Sequence, residues 1–475
     1  MFHVCKNPAT SVSVDTQVAP QTGLKRSLGP VGVLLLSMSA LSPVASVFVG
    51  GAGVLHLAGT GAAMAYILGG VVAALLALVY AELGAAFPHA GGQYPGIVRV
   101  LGPSVGFAYV SLILTGAPLI LAFSALGLAE YLHVFVPAVP PAVLVLGSIT
   151  FAAMLAVLSI RTSARMTGVF LAIEALALLA LVGVSLSHPV RPTIEVLTHP
   201  VALIGGVLRP VGFGVVGLAT VSGVWACSGA NWALFFGEDL KDADRRIGPV
   251  VAWVGLIASL LIAVPMVLML QSVRDLPSIL HADAPIAEFI SQTGGRQLAV
   301  VVSVGVSVAI FNSMVATMLA FGRLLYATGR ERIWPKAVSQ ALSTLDKRFC
   351  SPLIATLVLA AIAGGLSFVG LQLLLILISA GNLFDVLLVS ATVLIGRSIG
   401  KTGGTFRAPF APVLPVLGVG VAIAFAIVDW VDPTVGRPSI FVLAVIFAAG
   451  LLYYRLWLRK RGVNMSMSAL HEDES

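Results

Sequence analysis

The sequence predicts an all-α polytopic membrane protein with twelve transmembrane helices. Of its 475 residues, 58% are hydrophobic and only 10% are charged, whereas a soluble domain carries about 25% charged residues. Twelve apolar segments are each long enough for a membrane crossing, which takes about 20 residues. The positions of the lysines and arginines agree with that number of crossings.

The twelve segments span residues 30–53, 58–86, 104–132, 139–159, 165–187, 212–236, 248–270, 297–328, 351–369, 371–395, 412–429 and 438–457. Residues 1–27 are polar and lack the apolar core of a signal peptide, so they are predicted to be a cytosolic tail. Residues 458–475 are predicted to be a second cytosolic tail.

Lysine and arginine accumulate in cytoplasmic segments, so their distribution predicts the orientation. With both termini inside, 22 of these residues lie in inside segments and 5 in outside segments. The sequence therefore predicts a multi-pass protein of the plasma membrane with cytosolic termini. The net charge of +7 reflects this topology and does not indicate a nucleic-acid partner. The expected partners are the lipid bilayer and a small molecule, and the oligomeric state stays open.

The first segment carries the signal of a broken helix. Pro43 has no N–H group, so the carbonyl of Ser39 loses its helical partner, and proline suits the first turn of a new helix. The N–H groups at such a helix start favour a carboxylate. The residues predicted to bind a solute here are Ser39, Ser42, Val44, Ala45 and Ser46. An ordinary proline kink repaired by a serine is the alternative.

The sixth segment has small and polar residues where a plain membrane helix would carry leucine or valine. Two glycines, two serines and an asparagine stand between Ser222 and Asn231. Unpaired backbone in hydrocarbon is costly, so a helix breaks only around a cavity. The residues predicted to form one wall of a binding site are Trp225, Ala226, Cys227, Ser228, Gly229 and Asn231. Glycine used for close helix packing is the alternative.

Segments 1 and 6 are the two interrupted ones, which is typical of an inverted repeat with a site at the bilayer midplane. The predicted repeats are residues 28–187, with helices 1–5, and residues 212–395, with helices 6–10. Residues 412–457 hold the last two helices.

Two carboxylates lie deep within predicted helices, Glu174 in segment 5 and Asp385 in segment 10. A charge at that depth costs at least about 2.5 kcal/mol, so we expect both to face the interior and to have a function. Because burial favours the protonated carboxyl, proton coupling is the predicted role. A cation ligand or a buried structural acid bonded to a serine is the alternative.

The sequence offers no pattern of a catalytic or metal site. The three cysteines, Cys5, Cys227 and Cys350, are too widely spaced for a disulfide framework or a zinc site. The eight histidines show no ligand spacing, and the chain has no phosphate-binding loop. We therefore expect no cofactor, no metal and no enzymatic activity. A channel would need a repeated polar stripe along a pore, which the sequence lacks.

Three motifs follow one another at the ends of segments 2, 6 and 8. The first is Glu82, then Phe87-Pro88 and Gly91-Gly92-Gln93-Tyr94. The second is Trp225, Gly229, Asn231, Glu238 and Asp239, followed by Arg245-Arg246-Ile247-Gly248-Pro249. The third is Arg323-Leu324-Leu325-Tyr326-Ala327-Thr328-Gly329-Arg330, followed by Trp334-Pro335. Together they resemble the amino acid–polyamine–organocation (APC) transporter family over about residues 28–460.

The resemblance implies the leucine-transporter-like fold of five plus five helices, with helices 1 and 6 broken. It also implies secondary transport of an amino acid or related amine without ATP, and it makes Trp225 an aromatic gate over the solute. The expected function is a proton-coupled symporter that works by alternating access. An exchanger, a sodium-coupled symporter and a polyamine permease are the alternatives of the same fold. A membrane enzyme and a channel are the alternatives outside it.

The sequence departs from the family pattern at both breaks. The family often has Gly-Ser-Gly at the first break, where this chain has 44–46, Val-Ala-Ser. After the glycine of helix 6 the family often has an aromatic residue and a carboxylate, where this chain has Ala230 and Asn231. Asn231 cannot titrate. Glu174 stands at about the point where some proton-coupled relatives carry a lysine.

The charged residues at the cytosolic helix ends are predicted to form a gate. They are Glu82, Glu238, Asp239 and Arg323. The three acids are expected to pair with Arg99, Arg245, Arg246 or Arg323, in pairs that break as the gate opens. The polar residues of segment 8 are Ser303, Ser307, Asn312, Ser313 and Thr317. They are expected to line the site, to form a sodium site, or merely to bond to the helix backbone.

Overall fold

The protein is a bundle of apolar helices. The computed structural model describes residues 26–462, except for seven single positions: Ala90, Pro137, Ser159, Asp283, Lys347, Cys350 and Ser379. Within that part of the chain, nine helical runs are long and apolar enough to cross a membrane. The chain is thus an all-α multi-pass membrane protein. Most of both predicted tails lies outside the described residues, at 1–25 and 463–475, and so does Cys5.

The first half of the bundle contains eight α-helices. They are α1 (Pro30–Leu41), α2 (Pro43–Ala45), α3 (Gly51–Ala58), α4 (Ala62–Ala86), α5 (Tyr94–Leu101), α6 (Pro103–Phe135), α7 (Pro141–Val157) and α8 (Ile160–Ser187). A π-helical stretch, Ser46–Gly50, joins α2 to α3, and a 3₁₀ turn, Gly59–Gly61, joins α3 to α4.

The second half begins with a short helix and a hairpin. They are α9 (Thr193–Thr198), β1 (Val201–Ile204) and β2 (Val207–Pro210). The two strands pair antiparallel, with Val201 opposite Pro210. The hairpin packs on the turn before α4, because the Val201 N–H donates to Thr60 Oγ1 at 2.8 Å.

The remaining helices complete the bundle. They are α10 (Phe213–Cys227), a 3₁₀ segment (Ala230–Asp239), α11 (Ala243–Ser272), α12 (Leu276–His281), α13 (Pro285–Gly294), α14 (Arg296–Arg330), α15 (Lys336–Leu342), α16 (Leu353–Leu366), α17 (Leu371–Ile378), α18 (Gly381–Ser398), α19 (Val413–Val431) and α20 (Gly436–Tyr453). A π-helical stretch, Tyr454–Leu458, and a 3₁₀ turn, Arg459–Arg461, follow α20.

Glycines let α4 pack closely against its neighbours. A methyl group built on Gly69 would lie 2.5 Å from the carbonyl carbon of Gly223 in α10. A methyl group built on Gly255 of α11 would overlap Ala77 of α4. Small residues of this kind allow membrane helices to approach until their backbones touch. The crossing of α4, α10 and α11 forms the centre of one continuous apolar core.

The structure differs from the sequence prediction in segment 10. That segment was expected to be one helix over 371–395, but α17 ends at Ile378 and α18 begins at Gly381. The N–H group of Ala380, in the gap, donates to Ser439 Oγ of α20 at 2.8 Å. A neighbouring helix thus supplies the hydrogen bond that an unbroken helix would have made.

Candidate functional site

A cavity of about 370 Å³ lies where α1, α4, α6, α10, α14 and α18 converge. Sites for small molecules typically measure about 300–1,000 Å³ and have apolar walls with a few polar groups. Among the described residues that line this cavity, Asp385 is the one carboxylate, and no lysine or arginine is present. The cavity therefore suits a small organic solute.

The first helix is interrupted beside the cavity. α1 ends at Leu41, Ser42 adopts φ 48° and ψ 89°, and α2 begins at Pro43. The carbonyl of Ala40, which lines the cavity, accepts a hydrogen bond from Ser313 Oγ of α14 at 2.9 Å. Ser313 therefore holds the end of α1 in place where the helix has no continuing turn.

Ser42 caps the helix that follows it. Its Oγ accepts from the N–H of Ala45 at 3.3 Å, and its carbonyl accepts from the N–H of Ser46 at 3.0 Å. The N–H groups of Ala45 and Ser46 are therefore both bonded to Ser42 and are not free for a ligand. A capping serine satisfies the N–H groups that a bound anion would otherwise take.

A second interruption separates α10 from the 3₁₀ segment. α10 ends at Cys227, Ser228 has an extended backbone, and the 3₁₀ segment starts at Ala230. Ser228 Oγ donates to the carbonyl of Val224 at 2.7 Å, one turn back. Gly229 lies between the two elements with φ 171° and ψ 1°.

The two interruptions face each other. A methyl group built on Gly229 would lie 2.5 Å from Cδ1 of Leu41 and 3.0 Å from its Cβ. Leu41 is the last residue of α1, so the end of one helix touches the gap in the other. Leu41 and Gly229 both line the cavity. The contact between Leu41 and Gly229 therefore brings the two interruptions together at the wall of the cavity.

Asp385 also lines the cavity, in a network of neutral hydrogen-bond donors. Its Oδ2 accepts from the hydroxyl of Tyr80 at 2.7 Å and from Nδ2 of Asn231 at 3.4 Å. Its Oδ1 accepts from the hydroxyl of Tyr109. All four side chains line the cavity. The carboxylate is thus held in one position by α4, α6 and the 3₁₀ segment.

Glu174 lies behind the first interruption and is 1% exposed. Its Oε2 accepts from Ser42 Oγ at 3.1 Å, and its Oε1 accepts from Nδ2 of Asn312 at 2.7 Å. The Oδ1 atom of Asn312 is buried without a hydrogen-bond partner. The same serine that caps α2 therefore bonds to a buried carboxyl on α8, and a change in the charge of that carboxyl would act on the interruption directly.

The comparison with known proteins agrees with this architecture. The sequence pattern of a family described as amino acid permease matches residues 28–449. The chain belongs to the amino acid permease family. This family is part of the APC superfamily that the three motifs predicted, so that prediction is confirmed.

Relatives of this permease are transporters of small molecules. The Asc-type amino acid transporter 1 of Homo sapiens is 26% identical over 74% of this chain and 67% of its own. The branched-chain amino acid permease of Lactococcus lactis is 26% identical, over 76% and 81% of the two chains. The methylthioribose transporter of Bacillus subtilis is 23% identical over 96% and 98%. The prediction of an amino acid transport protein is therefore confirmed at the level of the family.

The structure divides the predicted binding residues of the permease into two groups. Six line the cavity: Ser46, Trp225, Ala226, Ser228, Gly229 and Asn231. Trp225 is 51% exposed, and its ring lies 3.7 Å from a methyl group built on Gly50. Their contact with a solute stays a prediction.

The other five predicted binding residues are not among those that line the cavity, and their contact with a solute also stays a prediction; they are Ser39, Ser42, Val44, Ala45 and Cys227. Ser39 Oγ donates to the carbonyl of Thr167 on α8 at 3.3 Å. Val44 and Cys227 are buried in the apolar core. These residues support the interruptions from behind.

The predicted gate acids are paired, but two of them have other partners than expected. Asp239 accepts from Nε of Arg323 at 2.7 Å, as expected. Glu238 pairs with Arg330 at 2.8 Å. Glu82, which is fully buried, accepts from Nε of Arg397 at 2.6 Å.

The backbone also joins the start of α1 to the end of the 3₁₀ segment. The N–H groups of Ser27 and Leu28 both donate to the carbonyl of Asp239 at 2.9 Å. The N–H of Lys241 donates to the carbonyl of Leu28 at 3.0 Å. The two interrupted helices are thus bonded to each other at the same end as the gate pairs.

Several residues of the site have no counterpart in the sequence prediction. Three aromatic rings that line the cavity form a cluster, with Trp232 and Phe235 both packed against Phe321 at 5.4 and 5.6 Å between ring centroids. The two tyrosines that bind Asp385 are also new. Tyr80 belongs to the first motif and was within reach of the sequence, whereas Tyr109 stands in an apolar run without any signal.

Proposed function

We propose that this permease is a secondary active transporter that moves an amino acid or a related amine across the plasma membrane by alternating access. The observation that carries the proposal is the meeting of Leu41 and Gly229 at the wall of the cavity. Two broken helices that meet around a small cavity are typical of secondary transporters that bind their substrate near the bilayer midplane.

The proposed topology has twelve crossings. The first apolar run, Pro30–Ala86, has 57 residues, which is about 85 Å of helix and enough to cross an approximately 30 Å hydrocarbon layer twice. The helices α7 and α16 are shorter, with 17 and 14 residues, but they are apolar. Together with the other eight runs they make twelve crossings. The 5+5 repeat would comprise 28–187 and 212–395, with 412–457 outside it and both tails in the cytosol.

In the proposed binding mode, the α-carboxylate of the substrate lies against the start of α2, near Ser46. The positive end of the helix dipole favours the carboxylate there, although Ser42 caps two of the N–H groups. The α-ammonium group lies near the carbonyls of Ala226–Ser228, where α10 ends. Trp225 closes over the bound solute, and its half-exposed ring supports this role.

In the proposed cycle, the two broken helices rock against the other helices. The ion pairs of Glu82, Glu238 and Asp239 close the cytosolic side in one state and separate in the other. Their full pairing here supports a state that is closed on that side.

Glu174 is the proposed proton-coupling group. When it is ionised it accepts hydrogen bonds from Ser42 and Asn312. When it is protonated, one of its oxygens becomes a donor, and the hydrogen bond with Ser42 can reverse direction because a hydroxyl also accepts. Because Ser42 also caps α2, proton binding would change the geometry of the interruption on which the substrate rests.

The test is uptake into proteoliposomes with an imposed pH gradient. We expect the wild-type protein to accumulate an amino acid against its gradient, and Glu174→Gln to retain exchange but to lose accumulation driven by protons. The matched control is Glu195→Gln, which removes an exposed carboxylate on α9. If Glu174→Gln accumulates substrate with unchanged pH dependence, Glu174 is not the coupling group. If the wild-type protein accumulates no amino acid or amine under any gradient, the transport proposal is wrong.

A further inference from the structure

Asp385, when ionised, gives the cavity a negative charge that no cation of the described lining balances. Asp385 is the carboxylate of that lining, and its three partners, Tyr80, Tyr109 and Asn231, are neutral. Hydrogen bonds from neutral donors stabilise an ionised carboxylate but leave its net charge in place. A charge of one sign in a cavity with apolar walls attracts solutes of the opposite sign.

A second group in the cavity also lacks a hydrogen-bond donor. Gln93 is 1% exposed and lines the cavity, and its Oε1 atom is buried without a hydrogen-bond partner. A buried acceptor without a partner is unfavourable until a donor reaches it. Asp385 and Gln93 therefore both favour a ligand that brings N–H groups into the cavity.

The elements that hold Asp385 in place differ from those that hold the first interruption. Its partners come from α4, α6 and the 3₁₀ segment, whereas the start of α2 is held by Ser42 and lies against α8. Apolar side chains of α6, including Ile113 and Ile120, line the same cavity. The cavity thus offers the two interruptions for the α-carboxylate and α-ammonium groups of a substrate, an apolar surface on α6, and the carboxylate of Asp385.

We propose that Asp385 binds an ammonium group on the side chain of the substrate, so that the permease selects amino acids with a cationic side chain over neutral ones of the same shape. The inference rests on the proposed transport function and adds the substrate class. The α-carboxylate and α-ammonium groups bind at the interruptions, the methylene groups lie along α6, and the terminal ammonium group donates to Asp385.

The experiment compares two amino acids that differ only at the end of the side chain. L-lysine carries a terminal ammonium group, and L-norleucine has the same carbon chain without it. Binding is measured by calorimetry on the purified full-length protein in sodium-free choline buffer and again in sodium buffer. We expect the wild-type protein to bind lysine at least about tenfold more tightly than norleucine, since a charge-assisted hydrogen bond contributes that much.

The variant Asp385→Asn keeps the shape of the side chain and removes its charge. We expect it to lower the affinity for lysine at least about tenfold and the affinity for norleucine less than about threefold. The matched control, Asp432→Asn, removes a carboxylate in the loop after α19 and leaves both affinities unchanged. Tyr109→Phe removes one donor from Asp385 and gives a second variant with an intact charge, in which the preference for lysine persists.

Each other result overturns the inference in a distinct way. Equal losses for lysine and norleucine in Asp385→Asn would mean that Asp385 binds the α-ammonium group. If norleucine binding requires sodium in the wild-type protein but not in Asp385→Asn, then Asp385 binds a sodium ion and not the side chain of the substrate. A wild-type protein that prefers norleucine contradicts the proposal even if Asp385→Asn does not fold. In these three cases amino acid transport still stands, whereas binding of neither compound and no uptake of any amine would contradict the proposed function itself.

Discussion

Replacing Gly229 by alanine tests whether the contact between the two interruptions sets the geometry of the site. The new methyl group would lie 2.5 Å from Cδ1 of Leu41 and 3.0 Å from its Cβ and Cγ. Carbon atoms in contact are normally about 3.5–4.0 Å apart. The Cδ1 atom can rotate away, but Cβ is fixed to the backbone, so the two helix ends must separate by about 0.5 Å.

The size of the effect follows from the cost of overpacking. Forcing one extra methyl group into a well-packed contact costs about 1–3 kcal/mol. If the strain acts on the substrate-bound state, in which the two interruptions hold the same solute, affinity falls by about 5- to 150-fold.

The assay is binding of the transported amino acid to purified protein, with two comparison variants. Gly217→Ala lies on α10 with nothing within 4 Å of the new methyl group, so we expect unchanged affinity. The double variant Gly229→Ala/Leu41→Ala removes the overlaps at Cγ and Cδ1 but keeps the overlap at Cβ, so it should recover only part of the lost affinity. Wild-type affinity in Gly229→Ala, or a double variant no better than the single one, would refute the reasoning.

Two further predictions concern stability, measured as thermal unfolding of the detergent-solubilised protein. Asp239→Asn leaves the buried guanidinium of Arg323 unpaired and should destabilise the fold by about 3–5 kcal/mol. The control, Asp242→Asn, removes an exposed ion pair with Arg246 and should change stability by at most about 1 kcal/mol. Equal shifts in the two variants would contradict a buried ion pair between Asp239 and Arg323. Gly69→Ala pushes a methyl group into the backbone of α10 and should lower both yield and unfolding temperature, whereas Gly183→Ala on α8 meets no atom within 4 Å and should behave as wild type. Unaltered unfolding of Gly69→Ala would mean that α4 and α10 are not in contact at this point.

The parts of the fold that the sequence predicts are those that depend on local chemistry. A run of apolar residues must cross the bilayer as a helix because its backbone has no other partners there. Pro43 and Gly229 mark the two interruptions through their own chemistry. Proline has no N–H group to donate, and glycine has no side chain to restrict its backbone. The gap before Gly381 has no proline, and its hydrogen bond comes from Ser439 on a distant helix. Nothing in segment 10 itself could have indicated it.

The site is less predictable because its contacts join distant parts of the chain. Glu82 and Arg397 are 315 positions apart, and arginines closer in sequence were the natural candidates. Glu174 was correctly expected to be buried, but its bond to Asn312 depends on how α8 and α14 pack. The hydrogen bond from Tyr109 to Asp385 depends on how α6 packs against α18, which the sequence does not indicate.

The bond between Ser27, Leu28 and the end of the 3₁₀ segment has an evolutionary consequence. Its donors and acceptors are all peptide groups, so any residue except proline preserves it. These backbone bonds themselves place no requirement on the side chains, whereas Leu28 is constrained by its burial in the core and Asp239 by its pair with Arg323. Selection on these backbone bonds would leave little trace in the amino-acid sequence, apart from an exclusion of proline at the three donor positions, Ser27, Leu28 and Lys241.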